Sequence, residues 1–254
     1  MQCRLPNERA MSNLLSNLET AGLTDVGLHR TANQDSYYLS PAGDLFIVAD
    51  GMGGHVGGQE ASYLATTTIC NYVQTYRDSD CTSEELLEAA ILAANEAIVS
   101  DQRQHPERAD MGTTVVLLLL RGGQLWCAHV GDSRLYLLRG NELFQLTQDH
   151  TWIAQALQRG ELTPAEQRYH PWRHMLFQCV GREDLRTVET QRLKIVAGDR
   201  LLLCSDGLSE ELSSEMIAKH LQTALSCTEA VSALVEAAKA KGGHDNITAV
   251  VLFV

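Results

Sequence analysis

Residues 113–147, "TTVVLLLLRGGQLWCAHVGDSRLYLLRGNELFQLT", decide the class of fold. Apolar runs alternate here with the turns "RGG" and "GNE", which predicts short strands joined by tight hairpins. Strands joined by hairpins run antiparallel, so we expect an antiparallel sheet. The longest run, "TTVVLLLL" at 113–120, is far below the roughly 20 apolar residues that cross a bilayer. Its Thr and Val content is typical of a buried strand.

Helical patterns flank this stretch on both sides. Before it, helices are predicted at about 57–76 and from about Ser83, where "TSEE" at 82–85 matches a capping box ahead of an apolar stripe. After it, the polar residues 150–184 are predicted to form a helical excursion from the sheet. "TVETQRLKIVAGDRLLLCSDG" at 187–207 returns to strands, followed by helices from near Ser213 and at about 228–241 and by a last strand, "NITAVVLFV". The pattern predicts an α+β fold in which helices cover antiparallel sheets.

The composition indicates a globular chain without a long low-complexity segment. Of its 254 residues, 44% are hydrophobic and 20% are charged. We expect a single domain over residues 24–254 and an N-terminal extension, ordered or loose, over residues 1–23. The first 24 residues lack the basic start, long apolar core and cleavage site of a signal peptide, so a cytoplasmic location is expected.

Charge and cysteine content disfavour several classes of function. A net charge of −12 disfavours binding to nucleic acid or to an anionic membrane. The seven cysteines are odd in number, unclustered and without a CxxC motif, so they fit neither a disulfide framework nor a zinc site. We interpret them as reduced thiols.

Four aspartates share one local context, an apolar run followed by Asp beside a Gly or Asn turn. They are Asp50 in "FIVADG", Asp132 in "CAHVGD", Asp206 in "LLLCSDG" and Asp245 in "GGHDNITAVV". One such aspartate is most simply a turn residue, because Asp hydrogen-bonds its own backbone. If antiparallel strands carry all four to one end of the sheets, their repulsion must be relieved by raised pKa values or by cations. Oxygen-only ligation selects Mg²⁺ or Mn²⁺ over zinc.

This arrangement of carboxylates predicts a hydrolytic metal centre. Two ions bridged by a carboxylate lower the pKa of a shared water, which provides hydroxide for an in-line attack on phosphorus or on a carbonyl. Phosphate is the favoured target, because the planar fork of Arg30 in "GLHRTANQD" offers a phosphoryl group two hydrogen bonds. On spacing alone, a surface arginine is the alternative.

The order of seven motifs resembles a known family, the metal-dependent serine/threonine protein phosphatases of the 2C class (the PPM family) in their bacterial form. The motifs are "DVGLHRTANQD", "VADGMGG", "MGTTVV", "AHVGDSRLYLLR", "LTQDHT", "LLLCSDGL" and "HDNITAVVL", and they cover about residues 24–254. The resemblance implies a four-layer αββα sandwich of two antiparallel β-sheets flanked by helices. It also implies a dinuclear Mn²⁺ or Mg²⁺ centre in a cleft at one end, whose hydroxide attacks the phosphoester without forming a phosphoenzyme.

The same resemblance assigns the metal ligands. Asp50 corresponds to the carboxylate that bridges both ions, with the Gly51 carbonyl on one of them, while Asp206 and Asp245 correspond to ligands of the other. Asp132 resembles the residue that helps to hold a weaker third ion. Arg30 matches the phosphate-binding arginine and, with Asp50, Asp206 and Asp245, completes the expected catalytic set.

The sequence departs from the family pattern near the second ion. Many members have Glu where this chain has Gln34, so a neutral amide replaces a carboxylate there and Asp35 is a further candidate ligand. Eukaryotic members place a histidine proposed as a general acid directly after the DG pair, whereas here Met52 stands there. His55 follows three residues later and is a candidate for the same role.

Other polar residues fall within the matching motifs. We expect structural hydrogen bonds for His150 and His244. Residues 150–184 correspond to the variable flap of the family, where Arg173 and His174 are candidates for contact with substrate or simply for surface solvation.

The expected function is therefore a bacterial-type phosphatase of phosphoserine and phosphothreonine proteins, in which a Ser/Thr kinase and its substrates are the implied partners and a monomer is the default. One alternative is a catalytically inactive, phosphatase-like binding module, which retention of Asp50, Asp206 and Asp245 disfavours. Another is a two-metal nuclease, which lacks support because no basic track for a nucleic-acid backbone is visible.

Overall fold

Two antiparallel sheets form the centre of the computed structural model, which describes residues 18–54, 57–163, 166, 170–172 and 175–254. The first sheet contains, in spatial order, β1 (Glu19–Asp25), β11 (Ile247–Phe253), β10 (Arg200–Cys204), β7 (Arg134–Arg139) and β8 (Glu142–Gln145). The second contains β2 (Asp35–Leu39), β3 (Leu45–Met52), β5 (Val115–Arg121), β6 (Gln124–Val130) and β9 (Glu189–Leu193), with β4 (Gly112–Thr113) paired to the end of β3.

The predicted hairpin between β5 and β6 explains why the sheet is antiparallel. Its register pairs Arg121 with Gln124, so Gly122 and Gly123 form a two-residue loop. Both glycines have positive φ, 60° and 70°, as a hairpin turn that follows the strand twist requires. The turn therefore folds the chain back without a crossover.

Helices cover the outer face of each sheet. Helices α1 (Gly57–Tyr76) and α2 (Ser83–Gln104) lie on the second sheet, while α5 (Ser214–Thr223) and α6 (Cys227–Lys241) lie on the first. The short helices α3 (Trp152–Gln158) and α4 (Asp206–Ser209) follow strands near one end of the sandwich. The predicted capping box is confirmed, because Thr82 and Glu85 exchange side-chain to backbone hydrogen bonds at the start of α2.

Three apolar layers separate the four layers of backbone. In β3, Phe46 and Val48 pack between the two sheets, whereas Leu45 and Ile47 pack under the helices. Both faces of the central strands are thus buried, although successive side chains point in opposite directions. This accounts for continuous apolar runs in antiparallel strands and confirms the predicted αββα sandwich.

The end of the predicted N-terminal extension, whose order the sequence left open, is an ordered strand. β1 begins at Glu19, which pairs with Phe253, so residues 19–23 belong to the first sheet. β1 is an edge strand whose residues are mostly half-buried, and its sequence therefore carries little apolar periodicity.

The described residues also test the expectations about membrane-spanning segments and about the cysteines. No helix in the described part is long and apolar enough to cross a membrane. The six cysteines within the described ranges are free thiols, and four of them are buried.

Candidate metal centre

The strand-end aspartates line one cleft of about 460 Å³. Asp50 lies near the end of β3, Asp132 follows β6, Asp206 opens α4 directly after β10, and Asp245 precedes β11. The fold thus brings together the four carboxylates that the sequence singles out. Arg30 and Gly51 line the same cleft.

Asp35 stands beside this group. It pairs with Asp50 across β2 and β3 and is buried. Its Oδ2 accepts hydrogen bonds from Ser205 Oγ at 2.8 Å and from Thr248 Oγ1 at 2.6 Å. Its Oδ1 is buried without a hydrogen-bond partner among the described residues, which is unusual for a carboxylate oxygen.

Burial and mutual repulsion perturb these acids. Burial, together with the charges of neighbouring aspartates, raises the pKa of Asp50 well above its ordinary value. Burial also raises the pKa of Asp35 to about 7, although the hydroxyls of Ser205 and Thr248 oppose the rise. The pKa of Asp132 rises to about 8, because burial and the charges of Asp206 and Asp149 outweigh the opposing charge of Arg134.

The cluster therefore needs protons or cations to balance its charge at neutral pH. The donor set consists of carboxylate oxygens and the nearby Gly51 carbonyl, which suits Mg²⁺ or Mn²⁺. The unpartnered Oδ1 of Asp35 supports the same interpretation. The residues present thus fit the divalent ions that the sequence predicts.

The glycine-rich turn after Asp50 permits close approach between backbones. A Cβ atom on Gly58, at the start of α1, would lie 2.7 Å from both the Gly51 carbonyl oxygen and Gln34 Nε2. Gln34 Nε2 also donates to the carbonyl oxygens of Gly53 and Gly54, at 3.2 and 3.3 Å. The amide of Gln34 thus ties down the turn, which a carboxylate, lacking a donor when ionised, cannot do.

Two threonines that the sequence interpretation did not single out hold the backbone of Asp50. Its carbonyl oxygen accepts from Thr113 Oγ1 and from the Thr114 amide, both at 2.8 Å. Thr114 Oγ1 accepts from the Asp50 amide at 3.1 Å and bonds Ser133 Oγ at 2.6 Å. The Ser133 contact links the Asp50 strand to the Asp132 turn. The adjacent threonines of "MGTTVV" were the available signal.

Asn246 holds the loop that carries Arg30 and was also missed. Its Nδ2 donates to the carbonyl oxygens of Val26 and Ala32, both at 3.0 Å, and its Oδ1 accepts from the Gln34 amide at 2.8 Å. All these groups lie far from Asn246 in the sequence. The only local signal was the adjacency of Asn246 to Asp245.

Arg30 contacts a predicted ligand directly. Arg30 Nη2 lies 2.6 Å from Asp245 Oδ2, and both side chains remain well exposed. Asp245 Oδ1 accepts from the Asn246 amide at 2.8 Å. The structure thus places Arg30 where an anion in the cleft would meet it.

A second group of ligand-type atoms lies outside the cleft. Atoms of His129, His150 and Glu189 lie within 4.8 Å of one another. His150 Nδ1 accepts from the Gly131 amide, so the proton of the neutral ring is on Nε2. His129 Nε2 contacts the carbonyl oxygen of Gln148 and must donate to it. Because both Nε2 atoms carry protons, this group does not fit a metal.

Of the other polar residues singled out in the sequence, the structure describes His150 and His244, and both make hydrogen bonds within the protein. His150 makes the expected structural bond, since its ring and amide both bond the Gly131 backbone beside Asp132. His244 Nδ1 lies 2.7 Å from Glu211 Oε1, and its ring stacks on that of His29. His55, Arg173 and His174 lie outside the described residues, so their predicted roles stay predictions.

Comparisons with known proteins agree with this architecture. A family model described as "Protein phosphatase 2C" matches residues 29–241. The serine/threonine protein phosphatase PstP of Mycobacterium tuberculosis is 38% identical over 234 residues, 92% of this chain and 44% of that protein. The protein phosphatase PhpP of Streptococcus pneumoniae is 37% identical over 235 residues, 91% of this chain and 95% of that protein.

A solved structure extends the comparison to three dimensions. The catalytic domain of PstP in complex with two manganese ions superposes with a TM-score of 0.82 at 36% identity, covering 93% of this chain and 97% of that one. The present chain spans less than half of the length of the full mycobacterial relative.

Proposed function

The chain belongs to the protein phosphatase 2C family, and from this premise we propose that it is a metal-dependent phosphatase of phosphoserine and phosphothreonine proteins. The observation that carries the proposal is the convergence of Asp50, Asp132, Asp206 and Asp245 on one cleft that Arg30 also lines. The manganese ions of the PstP catalytic domain support the choice of metal.

In this proposal, Asp50, the Gly51 carbonyl, Asp206 and Asp245 hold two Mn²⁺ or Mg²⁺ ions. Asp132 serves a weaker third ion, and Asp35 adds negative charge or a further ligand. When bound, such ions lower the pKa of a water molecule and neutralise the charge of a phosphoryl group.

The protein's own residues orient the phosphoryl group and hold Asp50 in position. Arg30 turns from Asp245 to the phosphate. This rotation of the side chain is sterically allowed, because both side chains are exposed at the cleft. Its guanidinium fork then fixes the phosphoryl group through two parallel hydrogen bonds. The Thr113 and Thr114 bonds keep Asp50 in place while the charge in the cleft changes.

The biological setting is part of the same proposal. Phosphoprotein phosphatases reverse kinases, and we infer that a bacterial-type Ser/Thr kinase supplies the substrates. A reducing, cytoplasmic location agrees with the unpaired state of the described cysteines. A monomer suffices, because the described residues of one chain supply the whole candidate site. By its place in the sequence, the region of residues 150–184 corresponds to the flap of the family.

The test is hydrolysis of para-nitrophenyl phosphate with Mn²⁺, with chelator, and by Asp206→Asn. We expect turnover that requires the metal and falls at least about 100-fold in the variant, as for loss of a group essential to the reaction. Asp78→Asn, which removes the same charge from an exposed position, is the matched control.

Calorimetric titration with Mn²⁺ adds a measurement that does not depend on turnover. Asp206→Asn should lose Mn²⁺ affinity, whereas Asp78→Asn should not. Folded wild-type protein that binds Mn²⁺ but hydrolyses no phosphoester would instead support the inactive binding module.

A further inference from the structure

Apolar side chains are exposed on the flap directly beside the cleft. Trp172 and Met175 are each 49% exposed and Phe177 is 42% exposed, while Leu176 lines the cleft together with the aspartates. Large apolar residues are usually buried, and a contiguous exposed group commonly marks an interaction site. We call these four residues, with Trp152 and His170, the flap patch.

The aromatic members of the flap patch are held against one another. The rings of Trp152 and Trp172 meet edge to face with centroids 5.2 Å apart, and His170 stacks on Trp152 at 5.1 Å. These are favoured geometries for aromatic pairs. Trp152 belongs to helix α3, so the patch is anchored to regular secondary structure.

The backbone of the patch is fixed as well. The Trp152 amide donates to the Met175 carbonyl at 2.9 Å, and the Met175 amide donates to the Trp172 carbonyl at 3.0 Å. The Phe177 amide donates to the carbonyl of His150 at 3.0 Å. A surface organised before binding loses little conformational entropy when it is covered, which favours binding.

We propose that the flap patch binds an apolar side chain of the phosphoprotein substrate, one to three residues from the phosphorylated serine or threonine. The proposal rests on the proposed function, because the phosphate in the cleft sets the position of the peptide. Leu176, which lies between Met175 and Phe177 in the chain, lines the cleft. An extended peptide advances about 3.3 Å per residue, so neighbours of the phosphorylated residue fall on the residues that flank Leu176.

The chemistry of the surface selects an apolar occupant. Trp172, Met175 and Phe177 carry no charge, and rigid aromatic side chains dominate the binding energy of many interfaces. Val26 and Leu28, in the segment that leads to Arg30, are exposed as well.

The experiment compares two phosphoserine peptides of equal length and charge, one with Leu and Phe around the phosphoserine and one with Ser and Gly. For the wild type we expect kcat/KM about 10-fold higher for the apolar peptide, the usual range for one apolar group in a pocket. Trp172→Ala should abolish this preference and leave turnover of para-nitrophenyl phosphate within about 2-fold. Trp172→Phe should keep most of the preference.

Tyr76→Ala is the matched control, because Tyr76 is 47% exposed at the end of α1 and does not line the cleft. It should behave like the wild type towards both peptides. A preference that survives in Trp172→Ala overturns the proposal, as does a loss of para-nitrophenyl phosphate turnover equal to the loss on the apolar peptide.

Fluorescence anisotropy of the labelled peptides separates this proposal from the proposed function. Tighter binding of the apolar peptide to the wild type, weakened in Trp172→Ala, supports the flap patch even if no phosphoester is hydrolysed. A wild-type dimer in light scattering that dissociates in Trp172→Ala would assign the patch to a second copy of the chain and overturn the proposal.

Discussion

Replacing Asp35 by asparagine should remove part of the pH dependence of stability in the metal-free protein, the rest of which comes from Asp50 and Asp132. In the folded protein, burial raises the pKa of Asp35 to about 7 from its ordinary value of 3.8. The folded state therefore binds this proton more tightly than the unfolded chain does, and its stability falls as the pH rises from about 4 towards 7. Below about pH 4 the group is protonated in both states and costs nothing.

The size of this loss of stability follows from the shift in the pKa of Asp35. Each pH unit between the two pKa values costs about 1.4 kcal/mol of unfolding free energy. Between pH 5 and pH 8 the ionisation of Asp35 should therefore cost the wild type about 3 kcal/mol, or roughly 5–10 °C in melting temperature for a chain of this size.

Asparagine can preserve the local hydrogen bonds. Its side-chain oxygen can accept from Ser205 and Thr248 as Asp35 Oδ2 does, while its amide takes the place of the unpartnered Oδ1. The variant should therefore lose the charge without losing the two contacts. Relative to the wild type, the free energy of unfolding of the variant should increase most at pH 8 and least at pH 5.

The assay is chemical denaturation in chelator at pH 5, 6, 7 and 8, with Asp78→Asn as a variant of the same net charge. Added Mn²⁺ should raise the stability of the wild type more at pH 8 than at pH 5, because cations then replace protons. A metal-free wild type at least as stable at pH 8 as at pH 5, with an identical pH slope in Asp35→Asn, would show that ionisation of Asp35 does not destabilise the fold.

Three further substitutions test individual contacts. Arg30→Lys keeps the charge but loses the two-pronged fork, so KM for para-nitrophenyl phosphate should rise about 10-fold with little change in melting temperature, given the exposure of the ion pair. His150→Leu leaves the buried amide of Gly131 without its acceptor and should cost about 1–3 kcal/mol in denaturant unfolding, whereas His150→Asn, whose Oδ1 can accept, should recover part of it. Gln34→Glu replaces the donor to two carbonyl oxygens of the glycine turn with an acceptor, so metal-free stability at pH 8 should fall by about 1 kcal/mol or more; an unchanged unfolding curve would show that these bonds do not hold the turn.

Local patterns in the sequence were sufficient to predict the class of fold and to identify the main acids of the candidate site. Both depend on short-range patterns: the two-residue loop at Gly122 and Gly123 makes neighbouring strands antiparallel, and Asp50 follows directly from a strand into a glycine turn. That these aspartates would meet was only a conditional prediction, because neighbouring antiparallel strands end at opposite ends of a sheet. The topology brings them together: β3 and β6 run in the same direction, and β10 ends where β11 begins.

The hydrogen bonds that support the candidate site join segments far apart in the chain, and they became visible only in the folded structure. Asp35 receives hydroxyls that lie 170 and 213 residues away in the chain, and Asn246 holds a loop more than 200 residues before it. The edge strand β1 is likewise defined by its pairing with β11, since its own residues show little periodicity. Such contacts form between segments that the fold brings together, and no local spacing encodes which distant donor will meet which acceptor.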